Sequence, residues 1–406
     1  MKESSNGSHD SSTLNETANE DLVTVVDTNK RYFVARMATL MLEIPESDER
    51  SPASRLRSLK SALEKDVRVI KVLPHKFRPE WSGKYHFHKN SKIVTSEDLF
   101  NNDRMNIFQF NEPLEFQIRV PFKNQPAFKD SRKFPSEEYH VVWDGITALT
   151  IWESHSEARR SQAGGHAAIE VIEHAVTRAK LSSHIQSCSP GCSFQFWHRD
   201  LSILALENTE HSLEFKDTSI HTPYIGVKVE GRTEIHDVAA SLFSTFDQDS
   251  LDFAISKNCA QRIRELENTT RSGLGKLLEL NFTQAIRKRK AWHKRPREAW
   301  KYRFERGMQR EYLTGTWLAL SQLELLIREW QESTKRLDRR SEARHTAGMF
   351  TRDLQDDATV VESLNLDLLR SSLENLGDRF DSRVIAIATS ASAAAAVIGG
   401  VIGGAL

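Results

Sequence analysis

The 406-residue chain carries 56 Lys+Arg against 56 Asp+Glu, a formal net charge of zero, with 39% hydrophobic and 28% charged residues. That length holds two or three domains, the polar balance excludes a polytopic membrane protein, and the zero net charge gives no ground for a polyanionic partner. Three cysteines, Cys188, Cys192 and Cys259, fit a reducing compartment and argue against a disulfide framework.

Residues 1–22 are rich in Ser, Asn, Thr and acidic side chains and contain no apolar h-region. They read as a disordered tail rather than a secretory signal. Residues 23–232 follow as a mixed α/β sandwich domain for sensing or binding. In "SPASRLRSLKSALEKD" Ser51 is the expected N-cap and Pro52 the first helical residue, with Leu56, Leu59 and Leu63 on one face. "VRVIKVL" reads as a strand. "LEFQIRV" alternates, Leu114, Phe116, Ile118 and Val120 pointing one way. "YHVVWDGITALTIWE" reads as a hairpin with a type I′ turn at Asp144-Gly145. Both its faces are apolar, Val141 and Trp143 on one, Val142, Leu149 and Ile151 on the other, which places it centrally under two covering layers. "GHAAIEVIEHAVTRAK" is the next helix, and "SHIQS" and "IGVKVEG" are further strands.

Strand signals stop after Gly231. Residues 233–382 read as a helical stalk, interrupted by the glycine turn "RSGLGK" and by Pro296. Leu366, Leu369, Leu373, Leu376 and Phe380 fall at spacings of 3, 4, 3 and 4, the pattern of a coiled-coil seam two heptads long. Residues 383–406 close the chain, and no charge follows Arg383. As a helix, the stretch from Val384 is ~35 Å long, enough for a ~30 Å hydrocarbon core. Ala388, Ser392, Ala396, Gly400 and Gly404 recur every fourth residue, a glycine-zipper face for close helix packing in lipid. The expected fold class is therefore α+β, a mixed α/β sandwich followed by a helical, coiled-coil region and one C-terminal transmembrane helix.

Three groups of residues carry candidate chemistry. His184, Cys188, Cys192 and His198 have the side chains of a tetrahedral zinc site, at a spacing outside the strong templates; the plainer reading is a strand end with two reduced thiols, and no cofactor is then needed. Gly164, Gly165 and His166 enter a helix and would hold an anion against its free N–H groups, or simply cap it. Arg287, Lys288, Arg289, Lys290, Lys294 and Arg295 belong to a basic segment, 287–310, with interleaved aromatics. A solvated helix, anionic lipid and nucleic acid are its possible contexts, nucleic acid the least favoured. "HRDL" at His198–Leu201 resembles a kinase catalytic loop but lacks the following Asn, so a kinase is rejected.

No residue pattern identifies a catalytic group. The sequence reads as a non-enzymatic, tail-anchored, single-pass membrane protein with its bulk in the cytoplasm. Its α/β domain would sense a small-molecule ligand or partner protein, and its stalk and tail would form a homo-oligomer in membrane lipid, as in a bilayer-permeabilising effector. The alternatives are a membrane-tethered enzyme using the His/Cys group, and a nucleic-acid binder acting through 287–310.

Overall fold

A computed structural model describes residues 30–45, 47–73, 81–88, 104–125, 136–154, 164–186, 195–216, 219, 221–288, 295–346 and 348–377; at 81–83, 88, 104, 284–285, 287–288 and 295–306 it describes the backbone alone. The fold is mixed α+β. In chain order the elements are β1 (Lys30–Glu43), α1 (Pro52–Glu64), β2 (Val69–Val72), β3 (Trp81–His88), β4 (Arg104–Phe110), β5 (Leu114–Arg119), β6 (Glu138–Trp143), β7 (Thr147–Ser154), α2 (His166–Arg178), β8 (Ser182–Ile185), β9 (Asp200–Leu206), β10 (Ser212–Lys216), β11 (Tyr224–Glu230), α3 (Ile235–Lys288), α4 (Arg295–Ala343), α5 (Gly348–Glu362) and α6 (Leu366–Gly377).

The strands form one 11-stranded sheet whose main path runs β10-β11-β9-β1-β7-β6-β5-β2. Its pairs are antiparallel except β9 with β11. The long strand β1 organises it. Residues 30–35 pair with β9 on one side and residues 32–39 with β7 on the other, and the far end pairs with β8 and β4 instead.

Alternation along each strand sends side chains to two covered faces. On one face Val34, Leu40, Phe116, Val141, Trp143 and Trp152 pack under α1 and α2, and on the other Phe33, Met37, Val142, Leu149, Ile151 and Ile203 pack under α3 and α5. The two-sided burial expected of the β6–β7 hairpin is thus observed. Each large side chain so buried contributes roughly 1.5–3 kcal/mol. The helical region is itself half of this core: Val238, Leu242, Phe246 and Phe253 of α3, Leu337 of α4 and Met349 and Phe350 of α5 form the floor of the second face.

Beyond Phe253, α3 and α4 run antiparallel around a separate cluster that includes Ile263, Leu277, Leu320 and Leu323. Their interface is also charged. Arg340 Nε donates to Asp249 Oδ1 at 2.6 Å, Arg336 Nη2 to Asp252 Oδ1 at 2.9 Å and Arg344 Nη1 to Asp249 Oδ2 at 2.9 Å. Asp249 is fully buried, and burial raises its carboxyl above the ordinary value despite the two arginines.

Four sequence expectations need correction. The β6–β7 turn is not type I′: of its residues only Gly145 has positive φ (+94°), and the Asp144 carboxylate accepts the N–H groups of Ile146 (2.8 Å) and Thr147 (2.7 Å) in a three-residue loop. "RSGLGK" is no turn, because α3 runs through it. Gly273 is there for proximity, since a Cβ would lie 2.2 Å from Thr316 Oγ1 on α4. The leucine seam is used inside the chain: Leu373 and Leu376 of α6 are buried in the α3–α4 cluster, so it offers no evidence of a coiled coil between copies.

The membrane reading is also set aside. Among the described residues no helix is long and apolar enough to cross a membrane. The two helices of sufficient length, α3 and α4, are rich in ionic residues, and near the sheet Asp249 and Asp252 pair with Arg336, Arg340 and Arg344 across their interface. Ala388, Ser392, Ala396, Gly400 and Gly404, on which the glycine zipper and oligomer rested, lie outside the described residues.

Candidate functional site at the entrance to helix α2

The side neighbour of β1 changes along its length. β9 pairs with it as far as Ala35↔Leu201, and β8 takes over at Leu40↔Ile185. Between them an irregular segment satisfies the backbone: Trp197 N–H donates to Met37 O (2.8 Å) and Gln186 N–H to Thr39 O (3.0 Å). Among the described residues, positions 36–39 of β1 therefore have no strand neighbour on this side. Arg36 stands at the break, a charged residue inside the apolar run "YFVARMATLML".

Arg36 is 3% exposed. Its Nε and Nη2 both donate to Asp200 Oδ2, at 3.0 and 2.9 Å, and its Nη1 donates to Gly164 O at 3.3 Å. Its guanidinium also lies over the Phe196 ring, 5.4 Å from the centroid. Burial raises the Asp200 carboxyl to about 6, with Arg36 opposing the rise. The charged form of Asp200 is therefore held at the cost of desolvation.

Helix α2 begins against this pair. Gly165 is its N-cap with φ +81°, and no side chain caps it. Glycine is required twice over, by that φ and by Phe196, whose Cζ would lie 3.0 Å from a Cβ. His166 packs edge-on against Phe196 (5.0 Å between centroids), and its Nδ1 lies 3.0 Å from Gln195 Oε1. Burial lowers the His166 pKa, so the ring is neutral at pH 7. The Tyr139 hydroxyl faces the Gly165 backbone, and burial raises its pKa. On the same face of the sheet Thr150 Oγ1 and Trp152 Nε1 are buried without a hydrogen-bond partner among the described residues. The site thus combines an uncapped helix N-terminus, a buried guanidinium, a desolvated carboxylate and two unused polar groups.

The residues before β9 connect the two faces of the sheet. His198 Nδ1 lies 2.5 Å from Asp353 Oδ1 on α5. Arg199 Nη1 donates to Gly348 O at the start of α5 (2.8 Å), and its Nη2 to Thr222 Oγ1 and Tyr224 O. Asp200 turns to the opposite face and meets Arg36. From α3, Lys257 Nζ donates to Asp353 O (2.8 Å) and to Asp357 (2.5 Å), which also binds Arg264. Trp197 packs on Phe253 and Phe350 at 5.0 and 5.1 Å.

Of the sequence candidates, Gly164, Gly165 and His166 come together here. Cys188 and Cys192 lie outside the described residues, as do Arg289, Lys290 and Lys294, while Arg287, Lys288 and Arg295 are described in backbone only. His184 Nε2 lies 2.6 Å from Glu43 Oε2, so each of the two histidines has a carboxylate partner. Among the described residues no three His, Cys, Asp or Glu side chains are grouped to hold a metal. Arg36, Asp200, Phe196 and Thr150 were not singled out from sequence. No family model, curated protein or solved structure matches the chain.

Proposed function

We propose that this chain is a binding protein that senses an anionic group of a ligand or partner at the entrance to α2 and relays its presence to the helical layer. The observation that carries this reading is the run His198-Arg199-Asp200. Three consecutive residues tie the Arg36 site on one face of the sheet to α5 on the other. A carboxylate or phosphate seated on the α2 N-terminus competes with Asp200 for Arg36. Asp200 gives up the pair by taking on a proton, the form that its burial favours. Any displacement of Asp200 is felt by its neighbours Arg199 and His198, which hold the first turns of α5. The unused donors Thr150 Oγ1 and Trp152 Nε1 support a polar occupant on this face.

The test mimics displacement. Asp200→Asn frees Arg36 from its counter-charge, and hydrogen exchange is followed in α5, with α1 as the reference. Faster exchange in Gly348–Glu362 than the global loss of stability accounts for supports the relay. An α5 that changes only in step with α1 rules it out.

A further inference from the structure

A separate feature lies at the other end of α2. A cavity of about 520 Å³, open to solvent, is lined by Ser47, Asp48, Arg50, Ser58, Arg178 and Lys180 among others. Its one lining carboxylate is occupied. Asp48 accepts from Arg50 Nε (2.9 Å), Arg50 Nη2 (2.8 Å) and Arg55 Nε (3.2 Å), and Arg50 first among them holds it down to about 2. Arg50 is anchored in turn, its Nη1 donating to Ala179 O at 2.9 Å. The remaining cations, Arg178 and Lys180, are exposed and have no ion pair among the described residues. Arg178 acts on Asp66 only at longer range, and Asp66 is bound by Arg68 at 2.8 Å.

Lys180 is held in an unusual conformation. Its N–H donates to Thr177 O and that of Leu181 to Val176 O, both at 3.0 Å, which closes α2 with the motif that ordinarily takes glycine. Lys180 instead adopts φ +57°. A side chain with a Cβ is disfavoured there, so Lys180 occupies a position that glycine would fill with less strain. Lys180 lines the cavity, and its carbonyl accepts from Arg50 Nη2 at 3.3 Å.

We propose that this cavity binds a small organic molecule carrying phosphate groups. Arg178 and Lys180 neutralise its charge, the Ser47 and Ser58 hydroxyls bound its polar remainder, and the Asp48–Arg50–Arg55 cluster keeps the wall rigid. This inference does not depend on the Arg36 site, which lies at the opposite end of α2, and its variants leave that site intact.

The probes are pyrophosphate and ATP, with adenosine as the uncharged control, titrated calorimetrically into the full chain. Wild type is expected to bind one equivalent of each phosphate probe saturably and adenosine not at all. Arg178→Gln and Lys180→Gly should each weaken binding about tenfold or more, the loss of one charge-assisted contact. Arg57→Gln, an exposed change elsewhere on α1, should leave it unchanged. Lys180→Gly should also raise the melting temperature, since glycine relieves the turn. The proposal fails if wild type shows no saturable binding, if either cavity variant binds like wild type, or if Lys180→Gly melts lower than wild type. Arg178→Gln at its exposed position keeps the test valid whatever Lys180→Gly does to folding.

Discussion

Replacing Arg36 with Leu tests whether the buried pair is the energetic centre of the site. The substitution removes the hydrogen bonds to Asp200 and Gly164 and the contact over Phe196, and it leaves Asp200 buried without its counter-charge. Breaking a buried pair from one side costs about 3–5 kcal/mol. The pH dependence has a definite sign. The Asp200 carboxyl is raised in the folded protein, to about 6, so the protonated form is the one the fold favours. Its contribution is present at low pH and is lost as pH rises through the folded value. Without Arg36 that value rises further. The deficit of Arg36→Leu should therefore be largest at pH 8 and shrink towards pH 4, where the folded Asp200 is already protonated and has no charge to leave unpaired. Combining Asp200→Asn with Arg36→Leu should recover half or more of the loss at pH 8. Urea denaturation at the two pH values, with a double-mutant cycle, measures each term. A deficit under about 1 kcal/mol at pH 8, or one that does not change with pH, would show that the pair is not what holds this site.

Other variants probe the helical layer. Gly273→Ala should destabilise the protein by about 1–3 kcal/mol, because the new methyl meets Thr316, while Gly275→Ala, facing open space, should stabilise it by roughly 0.5–1 kcal/mol; thermal melts of the two give opposite signs. Lys257→Met should cost about 2–4 kcal/mol, since it strips Asp357 and Asp353 O of a buried donor while Arg264 remains, and chemical denaturation reads it directly. Deleting 384–406 should leave the melting temperature nearly unchanged, because the sheet and the helical layer bury large apolar cores of their own, and a thermal melt of the truncated chain checks it.

Local signals were legible where one short range decides the structure. Ser51 and Pro52 start α1, with the Ser51 side chain accepting from Ser54 N–H, and the alternation of Leu114 to Val120 gives a strand with one face in the core. Apolar residues on both faces of β6 and β7 announced two covering layers. What covers the second face was not legible, because Val238, Phe246, Leu337 and Met349 come from three helices whose meeting depends on long-range packing. Glycine was misread for a related reason: in "RSGLGK" the residue that decides the role of Gly273 is Thr316, 43 positions away in the sequence. At the site, the glycines and His166 could be found as a helix entrance. Their partners could not, although Arg36 carried a signal, a lone charge within an apolar strand. Asp200 sat inside "HRDL", where it was weighed only against a kinase pattern, and its role depends on a partner 164 residues away.

Among the described residues, the long helix α3 meets the sheet near its first turns and is tied to α5 a little further on by Lys257 and Arg264. Its first turns, through Ile255, pack on the sheet, and residues 256–288 continue with α4 beyond that contact. At 1.5 Å per residue this is an arm of about 50 Å. A tilt of ~5° at the fulcrum sweeps the far end through about 4–5 Å, a distance close to one helical pitch. The fulcrum includes Phe253 against Trp197, and Trp197 is next in sequence to His198. Rearrangements too small to notice at the sheet thus become, at the far end of the arm, large enough to open or close a contact.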